Sequence, residues 1–139
     1  MCHSVDVTLF RLRFEPGQSI FDQVVYAAIR SFVAGEYRPG QPFPSIRALA
    51  SELKIHPNTA HKVVQYLIQQ KYLESHPGIG TVVAELPQAQ AGEKRRLLKN
   101  EVEQLVVEAK RLGLQLDQVL DAVRGQWEKL DSSAEGAEV

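Results

Sequence analysis

A single cysteine, Cys2, stands in 139 residues. One thiol excludes an intramolecular disulfide and, with no CxxC partner, a cysteine-based zinc site, so a reducing cytoplasm is the expected setting. The chain also lacks any apolar run approaching the roughly 20 residues of a membrane span, and its N-terminus has none of the basic-then-apolar layout of a signal peptide. A soluble cytoplasmic protein with no membrane partner is expected. An excess of charge of one sign is missing too: 16 Lys/Arg stand against 17 Asp/Glu, a formal net charge of −1. That excludes a strongly basic body wrapped by nucleic acid. No nucleophile, base and oxyanion donor are grouped anywhere, and His3, His56, His61 and His76 have no carboxylate partners at motif spacing, so neither an enzyme nor a bound cofactor is expected. Metal binding is not expected either. Cys2-His3 reads as a disordered terminus, and His56 and His61, five apart, do not share a helical face.

What is present is a 44% hydrophobic content, enough for the core of one ordinary domain with a small appendage. Charge is distributed unevenly. Residues 1–84 carry eight Lys/Arg against six Asp/Glu, residues 85–139 eight against eleven, and all four histidines fall in the first part. The sign of that split suits a nucleic-acid-facing front and a back with another task.

Residues 1–18 read as an N-terminal arm or short strand, with alternation over 5–14 broken by Glu15-Pro16-Gly17. Ser19 is an N-cap, and Ile20, Val24, Ala28 and Phe32 make an apolar helical stripe to about Ala34, stopped by Gly35. Pro42 and Pro44 hold the next connection extended. Ser45 caps a short helix, Ile46 to Leu53, followed by the corner Lys54-Ile55-His56. Pro57 suits the first turn of a third helix, which buries Val63, Val64, Leu67 and Ile68 and reaches about Gln70. Residues 71–75 and 81–84 read as strands around the turn Pro77-Gly78-Ile79-Gly80. Helix, corner, helix and glycine-closed hairpin in this order form a winged helix-turn-helix, over 19–86, which presents its second helix to the DNA major groove.

A stretch without periodicity, 87–92, reads as a linker. Beyond it, Leu98, Val102, Leu105, Ala109 and Leu112 step by four and three along one helix, from about Glu93. Leu116, Leu120, Val123, Trp127 and Leu130 repeat the spacing on a second, after Gly113. Two such helices leave about half of each apolar face wet when alone, so 93–130 is expected to dimerise the protein through these ten residues. Residues 131–139 are expected to fray as a disordered polar tail. The fold class is thus mainly α with a small β wing: an N-terminal winged helix-turn-helix domain, then a C-terminal two-helix dimerisation domain.

The first turn of the third helix holds the candidate base- and phosphate-reading side chains, His56, Pro57, Asn58, Thr59, His61 and Lys62. Asn pairs with adenine, Thr bonds to phosphate or packs on thymine, and Lys reaches guanine or phosphate. Arg47 is placed to contact guanine or the backbone, and Ser45 is an N-cap whose helix start favours phosphate. His76 touches the minor groove or caps its strand, and Gly78 serves the wing turn.

At Gly40, Phe43-Pro44-Ser45, Arg47, Leu49-Ala50, Pro57-Asn58-Thr59 and Gly78-Ile79-Gly80-Thr81 the chain resembles the GntR family of bacterial transcription regulators, over roughly Ser19 to Ala84. Its PNT form and short two-helix tail look like the YtrA subfamily. The resemblance implies DNA contacts at Arg47, His56, Asn58, Thr59 and the Pro77-Gly78 wing tip, and dimerisation through the tail. Phe43 stands where Leu is usual, His56 where Asn or Ser is common, and Lys62 where Arg is common. The expected function is a sequence-specific DNA-binding regulator, a repressor on a pseudo-palindromic operator, working as a homodimer and open to an unidentified small-molecule effector. The alternative is a winged-helix adaptor that binds protein rather than specific DNA.

Overall fold

The chain divides into two compact units, the first holding the residues up to Pro87 together with the end of the last helix from Ala134, and the second Gln88–Ser133. The computed structural model describes residue 10 and residues 12–138, with side chains to residue 131. The Cys2-His3 pair and most of the segment expected as a strand or arm, residues 5–9 and 11, lie outside the described residues. Residues 12–15 form no strand.

In the first unit, α1 (Ile20–Val33) begins where the Ser19 hydroxyl accepts the Asp22 N–H at 3.2 Å. Asp22 itself lies in the first turn, where the helix dipole favours an acid. Its inner stripe, Val24, Val25, Ala28 and Phe32, is buried. Helix α2 (Ile46–Leu53) and helix α3 (Pro57–Gln69) pack on one another, and α3 also packs on α1. Leu49, Ala60, Val63 and Leu67 are fully enclosed at the meeting of these three helices.

Three of the helix ends share a device. The N–H of Glu36 reaches the Ser31 carbonyl at 2.9 Å, that of Ile55 the Ala50 carbonyl at 3.0 Å, and that of Tyr72 the Leu67 carbonyl at 2.9 Å. Each such six-to-one closure needs a left-handed residue before the donor. Gly35 supplies it after α1 with φ +80°, but Lys54 and Lys71 supply it after α2 and α3, with φ +57° and +70°. Lys71 is therefore a helix-end residue rather than the start of a strand, and β1 runs Leu73–His76.

Strand β1 pairs antiparallel with β2 (Gly80–Val83), with Leu73 opposite Val83 and His76 opposite Gly80. The other edge of β2 is covered as well. Pro42 bridges Val82, the Val83 N–H reaches the Gln41 carbonyl at 2.8 Å, and the Phe43 N–H reaches the Thr81 carbonyl at 2.9 Å. Proline suits this outer position because it has no N–H to offer a further strand.

Phe43, which departs from the usual Leu, joins an aromatic cluster. Its ring centroid lies 5.8 Å from Tyr37, 5.9 Å from Phe32 and 5.9 Å from Phe10. The buried Ser31 hydroxyl donates to the Ala28 carbonyl at 2.6 Å, so this polar group inside the core is satisfied.

The second unit comprises α4 (Glu93–Arg96), a π-helical segment (Leu97–Glu101), α5 (Val102–Arg111) and α6 (Leu116–Glu138) as far as Ser133. The apolar spacing predicts a single α-helix from Glu93 to Leu112. The π segment interrupts it and rotates the residues ahead of it relative to those that follow. Gly113, φ +78°, closes α5 with the same device, the Leu114 N–H reaching the Ala109 carbonyl at 2.9 Å. The Gln118 side chain accepts the Gln115 N–H at 2.8 Å ahead of α6. Helix α6 continues to Glu138. Its last part, residues 131–138, contains no proline and is built mainly of Ala, Glu and Ser, which sustain a helix past the lone Gly136.

Candidate nucleic-acid interface

Helix α3 buries Ala60, Val63, Val64 and Leu67, so its opposite stripe is set by the 3.6-residue period. Asn58, His61, Lys62 and Gln65 are exposed and stand at relative positions 0, 3, 4 and 7, which is one continuous face. Thr59 is half-buried beside it. Gln65 is absent from the residues predicted above. The same periodicity identifies it, and its amide can bond to adenine in the way that Asn58 can.

The start of α3 is held by a side chain with a double use. His56 Nδ1 accepts the Asn58 N–H at 3.0 Å, so His56 is the N-cap of α3, and Pro57 occupies the first turn, where no N–H is required. With Nδ1 as acceptor, the neutral imidazole carries its proton on Nε2, leaving an exposed donor. Ser45 acts in the same manner one helix earlier, its hydroxyl oxygen accepting the Ala48 N–H at 3.1 Å while its O–H stays free to donate. Arg47, in the first turn of α2, is exposed and has no hydrogen-bond or ion-pair partner among the described residues.

The wing presents a different chemistry. The Ile79 N–H closes a turn onto the His76 carbonyl at 3.0 Å, with Pro77 second and Gly78 third, φ +81°, the type II pattern that favours glycine at that place. Ile79 projects at the tip, 74% exposed. The His76 Nε2 sits 3.1 Å from a carboxylate oxygen of Glu74, two residues back on the same strand face. Glu74, which no sequence pattern singles out, introduces an acid beside the histidine. Among the described residues no three His, Cys, Asp or Glu side chains are grouped to hold a metal ion, and no helix is long and apolar enough to cross a membrane.

Elsewhere in this unit, the Tyr37 phenol is pushed above its ordinary value of 10.0 by burial, then by the nearby Glu52 and Glu36 carboxylates. In the second unit, Leu98, Val102, Leu105, Leu112, Leu116, Leu120, Val123 and Trp127 are exposed, while Ala109 is buried and Leu130 is half-buried. Trp127 is 70% exposed.

Comparison with known proteins agrees with this geometry. The profile of the bacterial regulatory proteins of the gntR family matches residues 21–83. The uncharacterized HTH-type transcriptional regulator YhcF of Bacillus subtilis (strain 168) is 30% identical over 105 residues, covering 76% of this chain and 84% of YhcF. The HTH-type transcriptional repressor YtrA of the same organism is 26% identical over 116 residues, covering 81% of this chain and 89% of YtrA. A solved transcriptional antiterminator from Listeria monocytogenes EGD-e shares the fold with a TM-score of 0.74 at 21% identity, over 88% of this chain and 92% of that one. With its winged helix-turn-helix, its matched profile and its similarity to YhcF and YtrA, the chain belongs to the GntR family and is a DNA-binding transcription regulator.

Proposed function

We propose that the protein is a homodimeric repressor that sets two α3 helices in successive major grooves of a pseudo-palindromic operator. The observation that carries this reading is the exposed stripe Asn58, His61, Lys62 and Gln65 on a helix whose first turn is fixed by His56 and Pro57. Such a face offers hydrogen-bonding groups to base edges and a cation to phosphate. Arg47, Lys54 and Lys62 add phosphate contacts, so affinity falls as salt rises. Ser45, Thr59, His76 and Gly78 complete the DNA-facing set at the helix starts and the wing.

Dimerisation is supported by the apolar ridge of the second unit, which holds Leu98, Leu116 and Trp127 each 70% exposed. Burial of so much apolar surface against a second copy is the natural way to remove it from water. The repressor role is supported by the relative YtrA, which is named a repressor. Blocking transcription requires no more than occupancy of the operator. In the first unit an open groove of about 290 Å³ lined by Phe32, Tyr37, Pro39, Val83 and Leu86 lies just below the range of roughly 300–1,000 Å³ of usual small-molecule sites.

The test is a footprint on genomic DNA fragments selected by the purified protein. Two protected half-sites about 10 base pairs apart, centre to centre, are expected. Inserting about five base pairs turns the halves to opposite faces of the duplex and is expected to abolish joint occupancy. Protection of each half that is indifferent to the insertion would overturn the dimeric reading.

A further inference from the structure

Formal charge changes abruptly along the second unit. Residues 93–99 hold four cations, Lys94, Arg95, Arg96 and Lys99, against one acid, Glu93. From residue 100 onward four cations face nine acids. The net acidity of the C-terminal part as a whole conceals the first group inside the second.

The two groups are also treated differently by the fold. Arg111 is paired with Glu108 and Arg124 with Asp121, each three residues back on its own helix. Lys94, Arg95, Arg96 and Lys99 are all exposed and have no ion-pair or hydrogen-bond partner among the described residues. The one acid among them, Glu93, turns its carboxylate to the Gln90 N–H.

Such a cluster is unfavourable for the isolated chain in two ways. Three of its cations lie in the first turn of the helical rod, where the positive end of the peptide dipole repels them. Lys99 stands four residues after Arg95 and three after Arg96, the spacings at which like charges on a helix face one another. The cluster runs into the π-helical segment, which holds Lys99, a local departure frequent at functional sites. An anionic partner relieves both repulsions.

We propose that Lys94, Arg95, Arg96 and Lys99 form a second DNA-binding element, which holds phosphates flanking the bases read by α3. This rests on the protein being a DNA-binding regulator, and it adds to that function a contact outside the winged helix. The cluster lacks aromatic side chains and consists of point cations and guanidinium forks, so it binds the backbone without reading sequence. Ten residues lie between Val83, the end of β2, and Lys94, and the eleven backbone steps that join them span at most about 40 Å when extended. The tether therefore allows the cluster to reach phosphates beyond those under the wing.

The test uses the full-length protein carrying K94Q/R95Q/R96Q/K99Q, glutamine being a good helix former without charge. The probes are a 60-base-pair genomic duplex selected by the wild type and the same duplex trimmed to the α3 half-sites. Wild type is expected to bind the longer duplex more tightly than the trimmed one. The quadruple variant is expected to lose this gain, to bind the longer duplex roughly tenfold more weakly near physiological salt, and to lower the salt slope by about 0.9 for each phosphate it no longer neutralises. Arg47→Ala provides the contrast: weaker on both duplexes, with the gain from flanking DNA retained. A quadruple variant that keeps the wild-type circular dichroism and the wild-type slope on both duplexes would overturn the inference. A wild type that selects no genomic duplex at all would overturn the regulator reading itself.

Discussion

The Nδ1 of His56 accepts the backbone N–H of Asn58 at 3.0 Å, which ties the last residue of the corner to the first exposed polar residue of the reading helix. One imidazole thus stabilises the start of α3 and fixes the direction in which Asn58 leaves the backbone. His56→Ala removes the acceptor and is expected to lower unfolding stability by about 1 kcal/mol, whereas His56→Asn, another good N-cap, restores most of it. Urea denaturation of the two variants measures the difference.

Lys71 closes α3 in the left-handed region, with φ +70°, where a side chain is strained and glycine is not. Lys71→Gly is expected to raise stability by about 0.5 kcal/mol, the relief of strain exceeding the entropy that glycine adds to the unfolded chain. Thermal unfolding checks it. A fall in the melting temperature would show that the lysine side chain stabilises this corner in some other way.

Much of the fold class could be read from such local signals, and their limits are equally local. Ser19, Ser45 and Pro57 mark helix starts because each solves the problem of unpaired N–H groups, and α2 has the expected bounds Ile46–Leu53. Lys54 and Lys71 conceal the left-handed closures that follow α2 and α3, since the expected signal for such a closure is glycine. Pro42 reads only as part of an extended connection although it lines the outer edge of β2, a non-local pairing that no window of sequence contains. At the candidate interface, Gln65 is within reach of periodicity alone. The capping role of His56 and the Glu74 partner of His76 depend on side-chain geometry that composition does not carry. The π segment likewise has no signature in an apolar pattern that steps by four from Leu98, inside it, to Val102 just beyond.

Tyr37 is held neutral to higher pH than a free tyrosine, first by burial and then by Glu52 and Glu36. Its pKa is raised on folding, so its contribution to stability is fully present below the unfolded value near 10.0 and is lost as pH rises through the folded value. Above pH 10 the unfolded chain releases this proton while the folded chain retains it, and stability falls. Tyr37→Phe is expected to show a shallower loss of stability between about pH 9.5 and 11 than the wild type. Melting temperatures of both proteins over that range test the sign.

Trp127 is 70% exposed on α6, with Leu120 and Val123 in the same open apolar groove. If that ridge joins two copies, Leu120→Lys with Trp127→Lys places charges in the interface. The double variant is expected to sediment as a monomer with its winged-helix unit still folded, and to bind the operator at least about tenfold more weakly because two heads no longer act as one. Analytical ultracentrifugation at several concentrations reports the assembly state directly. Unaltered dimerisation would move the interface elsewhere.

The central claim is that the first turn of α3 reads bases, and a competition binding measurement tests it most directly. The wild type and an Asn58→Ala/Thr59→Ala variant are titrated on the selected operator and on a random-sequence duplex of the same length. The expected result is a loss of about 1–3 kcal/mol per base contact on the operator, with affinity for the random duplex nearly unchanged, so that the two duplexes become almost equivalent. A folded variant that preserves the full preference for the operator would contradict the account.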